Sequence, residues 1–158
     1  MQKTILITGA TDGIGLETAK LLVSQGHRVL LHGRNPDKLR AVAETLASLA
    51  PNAPTATYLA DLSDLDAVKA LAAEITSRDD HLDVLINNAG IFKTRDSLTR
   101  DGLDVRFVVN TIAPYLLTRE LLPLLGKDGR VVNLSSAAQS PVDLAALLGQ
   151  KPLSDMAA

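Results

Sequence analysis

The sequence predicts an α/β protein whose strands form a doubly wound parallel sheet with helices on both faces. Three observations predict it. Five short runs rich in Val, Ile, Leu and Thr recur along the 158 residues, stripes of helical period separate them, and no hairpin turn joins one run to the next. A strand that regains its sheet through a helix runs parallel to its predecessor, and such crossovers are right-handed with few exceptions.

Thr4 to Thr8 (TILIT) is the first run, and its lack of polar alternation is that of a strand buried on both faces. From Gly13 the period changes: Leu16, Ala19, Leu22 and Val23 share one helical face until Gly26 stops it. Arg28 to His32 is the second strand. Asn35 then supplies an N-cap and Pro36 the first helical position, where the missing N–H is harmless. Leu39, Val42, Ala43, Leu46, Leu49 and Ala50 keep the i, i+3, i+4 spacing until Pro51 and Pro54 end the helix. Thr55 to Leu59 is the third strand. Ser63 with Asp66 three residues on resembles a capping box, opening a helix with Leu65, Val68, Leu71, Ala72 and Ile75 inward. Asp83 to Asn87 is the fourth strand. Thr99 is the expected cap of a long helix with Val105, Val108, Val109, Ile112 and Leu116 inward, reaching about Leu125. Arg130 to Ser135 is the fifth strand, and beyond Ala137 the residues Pro141, Gly149 and Pro152 predict a loop with at most one short helix.

Composition removes several functions. Sixteen Lys plus Arg against 18 Asp plus Glu give a net charge of −2 with no basic block, so nucleic acid and anionic membranes are not expected partners. With no Cys there is no disulfide framework, thiolate zinc site, iron–sulfur cluster or cysteine nucleophile. The opening MQKTILITG lacks the apolar core of a signal peptide, and no uncharged apolar run approaches the roughly 18 residues of a membrane span, so a cytoplasmic location is expected. Asp61, Ser63, Asp64 and Asp66 do not make a calcium loop, since Asp66 and Ala72 stand where Gly and Glu are required. Ser136 is no hydrolase nucleophile of the GxSxG type, because Leu134 and Ala138 replace the glycines. The three histidines lack metal-ligand spacing, and no metal is expected.

The most informative segment is Thr8-Gly9-Ala10-Thr11-Asp12-Gly13-Ile14-Gly15, where the first strand becomes the first helix. Ligands of open α/β sheets sit beyond the carboxyl ends of the strands, and a helix N-terminus offers unpaired N–H groups to a phosphate. The spacing of Gly9, Gly13 and Gly15 resembles the TGxxxGIG turn of the short-chain dehydrogenase/reductase family. Four further segments match that family in order: Asp61-Leu62 after the third strand, Asn87-Asn88-Ala89-Gly90 after the fourth, Asn110 in the long helix, and Val132-Asn133-Leu134-Ser135-Ser136 at the end of the fifth. The resemblance covers residues 3 to 137 and implies a Rossmann-type three-layer αβα fold. By position it implies that Gly9, Gly13, Ile14 and Gly15 hold dinucleotide phosphates, with Thr11 and Asp12 of the same turn also at the cofactor, that Asp61 and Leu62 meet the adenine, and that Asn88, Ala89 and Gly90 form the adjoining wall. Asn87 has the alternative role of ordering the central strand.

In dinucleotide sites an acid about 20 residues past the glycine turn binds the ribose of NAD, whereas Arg there accommodates the extra phosphate of NADP. Here His32, Gly33, Arg34 and Asn35 follow the second strand, and the first acid, Asp37, is already inside the helix. NADP is therefore expected over NAD, with Arg34 and Asn35 at its phosphate; Asp12 argues the other way, because NADP users in the family often carry a basic residue in the glycine turn.

Hydride reduction of a carbonyl builds negative charge on oxygen and needs a proton donor. The resemblance implies Ser136 at the carbonyl oxygen and Asn110 in a proton relay, on a small alcohol or carbonyl substrate. The family's Tyr with Lys four residues on is not found: the residues four after Tyr58 and Tyr115 are Leu62 and Arg119. Pro141 to Ala158 resembles the extended loop of retinol-dehydrogenase-like relatives. The expectation is that residues 1–158 are one dinucleotide-binding domain, incomplete after its fifth strand, and inactive alone. Val84, Ile86, Val132 and Leu134 should then be partly exposed unless a homo-oligomer, which is expected, or another segment covers them. The alternative is a non-catalytic dinucleotide-binding or sensing protein.

Overall fold

A computed structural model describes residues 1–136 and 141–152. The strands β1 (Thr4–Ile7), β2 (Arg28–Gly33), β3 (Thr55–Leu59), β4 (Val84–Asn87) and β5 (Arg130–Asn133) form one sheet in the order β3-β2-β1-β4-β5, with every pairing parallel. This is the Rossmann-type fold that the alternating runs predict. The order reverses between β1 and β4, so the crossovers diverge there and leave a crevice at the strands' carboxyl ends.

Period-two alternation along β1 divides the core. Ile5 and Ile7, with Val29 and Leu31 of β2, pack against α1 (Gly13–Ser24) and α2 (Pro36–Leu49) through Ala19, Val23, Leu39, Val42 and Leu46. Leu6, Leu30 and Leu85 face the other way, onto Val68, Leu71 and Ile75 of α3 (Leu65–Arg78) and Leu117 and Leu121 of α5 (Ala113–Leu125). All four residues of β1 are buried, which is why its sequence shows no polar alternation.

Three local expectations are corrected. Asp64, not Ser63, caps α3, accepting from Asp66 N–H at 2.9 Å and Ala67 N–H at 3.3 Å, while Ser63 itself donates to Asp61. The aspartate one residue nearer the helix reaches its second and third N–H groups, which a side chain at position 63 does not serve. Asp104, not Thr99, caps the long helix, and Thr99 Oγ1 accepts from Leu103 N–H within the preceding turn. That helix is also not uniform: α4 (Val105–Phe107) passes through a π-helical turn at Val108–Ile112 before α5. Pro114 has no N–H to give to the Asn110 carbonyl four residues back, which favours widening the turn there. The extra residue shifts the inner face, so Ala113, Leu117, Leu121 and Leu125 are buried and Ile112 and Leu116 are only half-buried.

After β5, a short helix α6 (Leu144–Leu147) is capped by Asp143, in keeping with the single short helix expected. Residues 137–140 and 153–158 of the expected loop lie outside the described residues. All four residues of β5 are exposed, Val132 at 44%, as is Leu134 just beyond it at 41%, and Val84 and Ile86 are half-buried, as an uncovered sheet margin requires.

Candidate functional site

The site begins where β1 ends. Gly9 and Gly13 have φ of +66° and +51°, a backbone region that side-chain-bearing residues rarely adopt. Gly15 serves packing instead: a Cβ there would overlap Asn88 Nδ2 and the Gly9 carbonyl. The turn is braced from β4. Thr8 Oγ1 accepts from Asn88 N–H and Ala89 N–H, both at 3.0 Å, and Asn88 Nδ2 donates to the carbonyls of Thr8 (2.9 Å) and Gly9 (3.1 Å). Each amide bond satisfies a backbone group that a turn leaves without a sheet partner.

A second brace comes from β2. His32 is buried, its Nδ1 accepting from Gly9 N–H at 3.3 Å while Nε2 lies 3.1 Å from the Ala60 carbonyl. Those partners fix the tautomer with hydrogen on Nε2. Burial pushes its pKa down to about 4, against weaker opposing pulls from the Ala60 carbonyl and Asp61. One imidazole thus joins the ends of β1, β2 and β3. Gly33 completes the interlock, since a Cβ would sit 2.6 Å from Thr11 Cγ2.

These loops enclose a cleft of about 660 Å³ over the switch point between β1 and β4. Gly9, Thr11, Asp12, Gly13, Ile14, Arg34, Asn35, Asp61, Leu62, Asn88, Ala89 and Gly90 all line it; Gly15 lies buried beneath. The structure therefore gathers the sequence-derived cofactor residues around one space. It adds two titratable side chains that sequence reasoning missed, His32 and Lys38. His32 reads as an ordinary strand-end histidine, and Lys38 meets Asp12 across 26 positions, so no local pattern marks either residue.

The expected catalytic residues lie apart from the glycine turn. Asn110, in the π-helical turn, lines a smaller cavity of about 310 Å³ with Asn87, Tyr115, Thr118 and Asn133. Its amide is engaged with loop backbone: Ile91 N–H donates to Oδ1 at 2.8 Å, and Nδ2 donates to the Ile91 carbonyl at 2.9 Å. Asn87 ties β4 to β5 and α5, donating to Asn133 Oδ1 (2.8 Å) and Thr118 Oγ1 (3.2 Å). Ser135 and Ser136 follow β5 at exposed positions, and neither lines either cavity. Tyr58 is buried, bonded to Asp79, and lines neither cavity. Among the described residues no group of three His, Asp or Glu is placed to hold a metal ion, and no helix is long and apolar enough to cross a membrane.

The profile of the short chain dehydrogenase family matches residues 3–145. The chain belongs to that family. Human retinol dehydrogenase 11 is 39% identical over 138 residues, which are 86% of this chain and 43% of that protein. The chloroplastic short-chain dehydrogenase TIC 32 A of Brassica napus is 35% identical over 144 residues, 87% of this chain and 45% of that one. This short-chain dehydrogenase chain thus spans less than half the length of the curated relatives it matches. Among solved structures, a metagenomic short-chain oxidoreductase in complex with NADP superposes with a TM-score of 0.76 at 33% identity, covering 94% of this chain and 71% of the other.

Proposed function

We propose that this chain forms the dinucleotide-holding part of an NADP-preferring oxidoreductase acting on a small alcohol or carbonyl compound. The observation that carries the reading is the cleft itself. Two of its margins, at Gly9 and Gly33, are places where a Cβ would collide with a neighbouring loop, and Gly15 beneath them has no room for one either, so the backbone stays bare and close around the space. A cradle of bare backbone beside the N-terminus of α1 fits a pyrophosphate.

In this reading the Gly9 to Gly15 turn receives the phosphates, and Asp61 and Leu62 flank the adenine. Arg34, exposed at the end of β2, faces the 2′-phosphate, where its planar fork suits a phosphate better than a point charge does. When bound, the nicotinamide supplies or accepts the hydride. Asn88, Ala89 and Gly90 form the backbone wall adjoining the adenine, Ser136 donates to the substrate oxygen, and Asn110 holds the loop at Ile91 while supporting proton transfer. A metagenomic neighbour's complex with NADP supports the choice of cofactor.

One observation favours a second reading, dinucleotide binding without turnover. Neither tyrosine has a lysine four residues on, and neither lines the cleft. Calorimetric titration with NADPH and NADH, followed by an assay of NADPH consumption with an aldehyde and ketone panel, tests both. Tighter binding of NADPH than NADH supports the cofactor assignment, and binding of neither overturns it. Turnover overturns the second reading.

A further inference from the structure

Lys38 has no role in the reading above, yet it sits in the cleft wall beside Arg34 and Asn35. It occupies the first turn of α2, where Asn35 Oδ1 accepts from its backbone N–H at 2.9 Å and so fixes the direction from which its side chain leaves the helix. Across the cleft mouth, Asp12 is the N-cap of α1, with Oδ1 accepting from Gly13 N–H at 2.9 Å. Lys38 Nζ reaches Asp12 Oδ2 at 3.1 Å, and both side chains are more than half exposed.

The charges facing this space are Arg34 and Lys38 against Asp12 and Asp61. A balanced set holds no excess attraction for a dianionic phosphate unless one cation can leave its acid. Asp61 Oδ1 is engaged by Ser63, and Lys38 reaches Asp12 instead. The exposed Lys38–Asp12 pair is the mobile one, since an ion pair in water contributes little and its flexible lysine stem can swing.

We propose that Lys38 is the second cation, with Arg34, that reads the 2′-phosphate of the adenosine ribose, and that Asp12 holds Lys38 at the cleft mouth until such a phosphate arrives. This rests on the dinucleotide reading above and deepens it. A ligand with a bare 2′-hydroxyl leaves the pair intact. A ligand with a 2′-phosphate draws Lys38 away and leaves the Asp12 carboxylate near the anion, so Asp12 weakens the very preference that Lys38 creates. Asp12 is then a restraint on NADP affinity, with Lys38 the basic group that compensates for an acidic glycine turn.

The test is calorimetric titration of the 158-residue chain at low salt with adenosine 2′,5′-bisphosphate and with adenosine 5′-monophosphate. Lys38→Met keeps the apolar stem and should weaken the bisphosphate about tenfold, the loss of one charge-assisted contact, with the monophosphate unchanged within about twofold. Asp12→Asn keeps the helix cap and should tighten the bisphosphate by about threefold to tenfold, and by more than it tightens the monophosphate. Retained monophosphate binding also shows that each variant is folded. The proposal is overturned if Lys38→Met leaves bisphosphate affinity unaltered, if it weakens both probes equally, or if Asp12→Asn does not tighten the bisphosphate. If Arg34→Met weakens the bisphosphate while Lys38→Met does not, the NADP assignment stands and only the role of Lys38 falls. Equal wild-type affinity for the two probes, or no binding of either, overturns both.

Discussion

Asn110 clamps the backbone of Ile91 on both sides, accepting from its N–H at 2.8 Å and donating to its carbonyl at 2.9 Å. This pair ties the π-helical turn to the loop that follows β4, so the wall of the cleft and the middle of the long helix move together. Asn110→Ala removes both bonds at an exposed site and should destabilise the chain by about 1 kcal/mol. Asn110→Asp keeps the acceptor but sets a carboxylate oxygen against the Ile91 carbonyl, so it should destabilise the chain at least as much as the alanine. Amide exchange read residue by residue should show Ile91 exchanging faster in both. Ile91 protection equal to wild type in Asn110→Ala would sink the clamp.

Gly13 and Gly15 should fail differently when a methyl is added. Gly13→Ala meets nothing within 4 Å but keeps a φ of +51°, so it should lose roughly 1–2 kcal/mol of stability through backbone strain. Gly15→Ala drives its methyl into Asn88 and the Gly9 carbonyl, which should destabilise by roughly 1–3 kcal/mol and also displace the brace of the turn. Urea unfolding gives the first quantity. Affinity for adenosine 2′,5′-bisphosphate gives the second, and should fall further for Gly15→Ala; equal losses in the two variants would contradict the assigned roles.

What the sequence showed and what it hid follow one physical division. Period and punctuation are local, so Asn35-Pro36 marked the start of α2 correctly and the apolar runs located all five strands within one or two residues. The glycine turn was legible because its chemistry demands a fixed spacing. Choices between near neighbours were not: Asp64 outcompetes Ser63 as a cap by one residue of reach. Contacts between distant positions left no pattern at all, which is why the His32 bond to Gly9 and the Lys38 pair with Asp12 escaped notice. The π-helical turn did leave a signal in Pro114, four residues after Asn110, that the helical stripe concealed.

Asp79 is a buried acid at the end of α3 that receives the Tyr58 hydroxyl at 2.7 Å and pairs with Arg28, while the Arg78 guanidinium lies 5.1 Å from the centre of the Tyr58 ring. Asp79→Ala leaves Arg28 without its acid and Tyr58 without its acceptor, and should cost about 3 kcal/mol. Tyr58→Phe should cost about 1–2 kcal/mol. The double variant should lose less than the sum, because both changes remove the same bond. Strict additivity in urea unfolding would show that the two groups do not act together. Burial first, then Asp79, pushes the Tyr58 phenol up to about 12. Its raised pKa places that stabilisation below pH 10, to be lost as pH rises through 10 toward 12.

His32 should give the chain an acid-sensitive window of its own. An unfolded histidine titrates near 6.5 and the buried imidazole near 4, so the folded state disfavours its proton. A depressed pKa means that the stabilisation is fully present above about 6.5 and is lost as pH falls from there toward 4. Protonation would also remove the acceptor for Gly9 N–H, loosening the glycine turn along with the fold. The carboxylates of Asp12, Asp104 and Asp143 are held below their ordinary range, chiefly by bonds from Lys38, Arg106 and Lys151, so their contribution fades at still lower pH. The two effects are thereby separated on the pH axis. Between pH 7 and pH 4.5 the urea midpoint of the wild-type chain should fall, and His32→Gln, which cannot titrate, should start lower but decline less. Parallel declines in the two chains would place the acid sensitivity elsewhere, since His27 and His81 are retained in both.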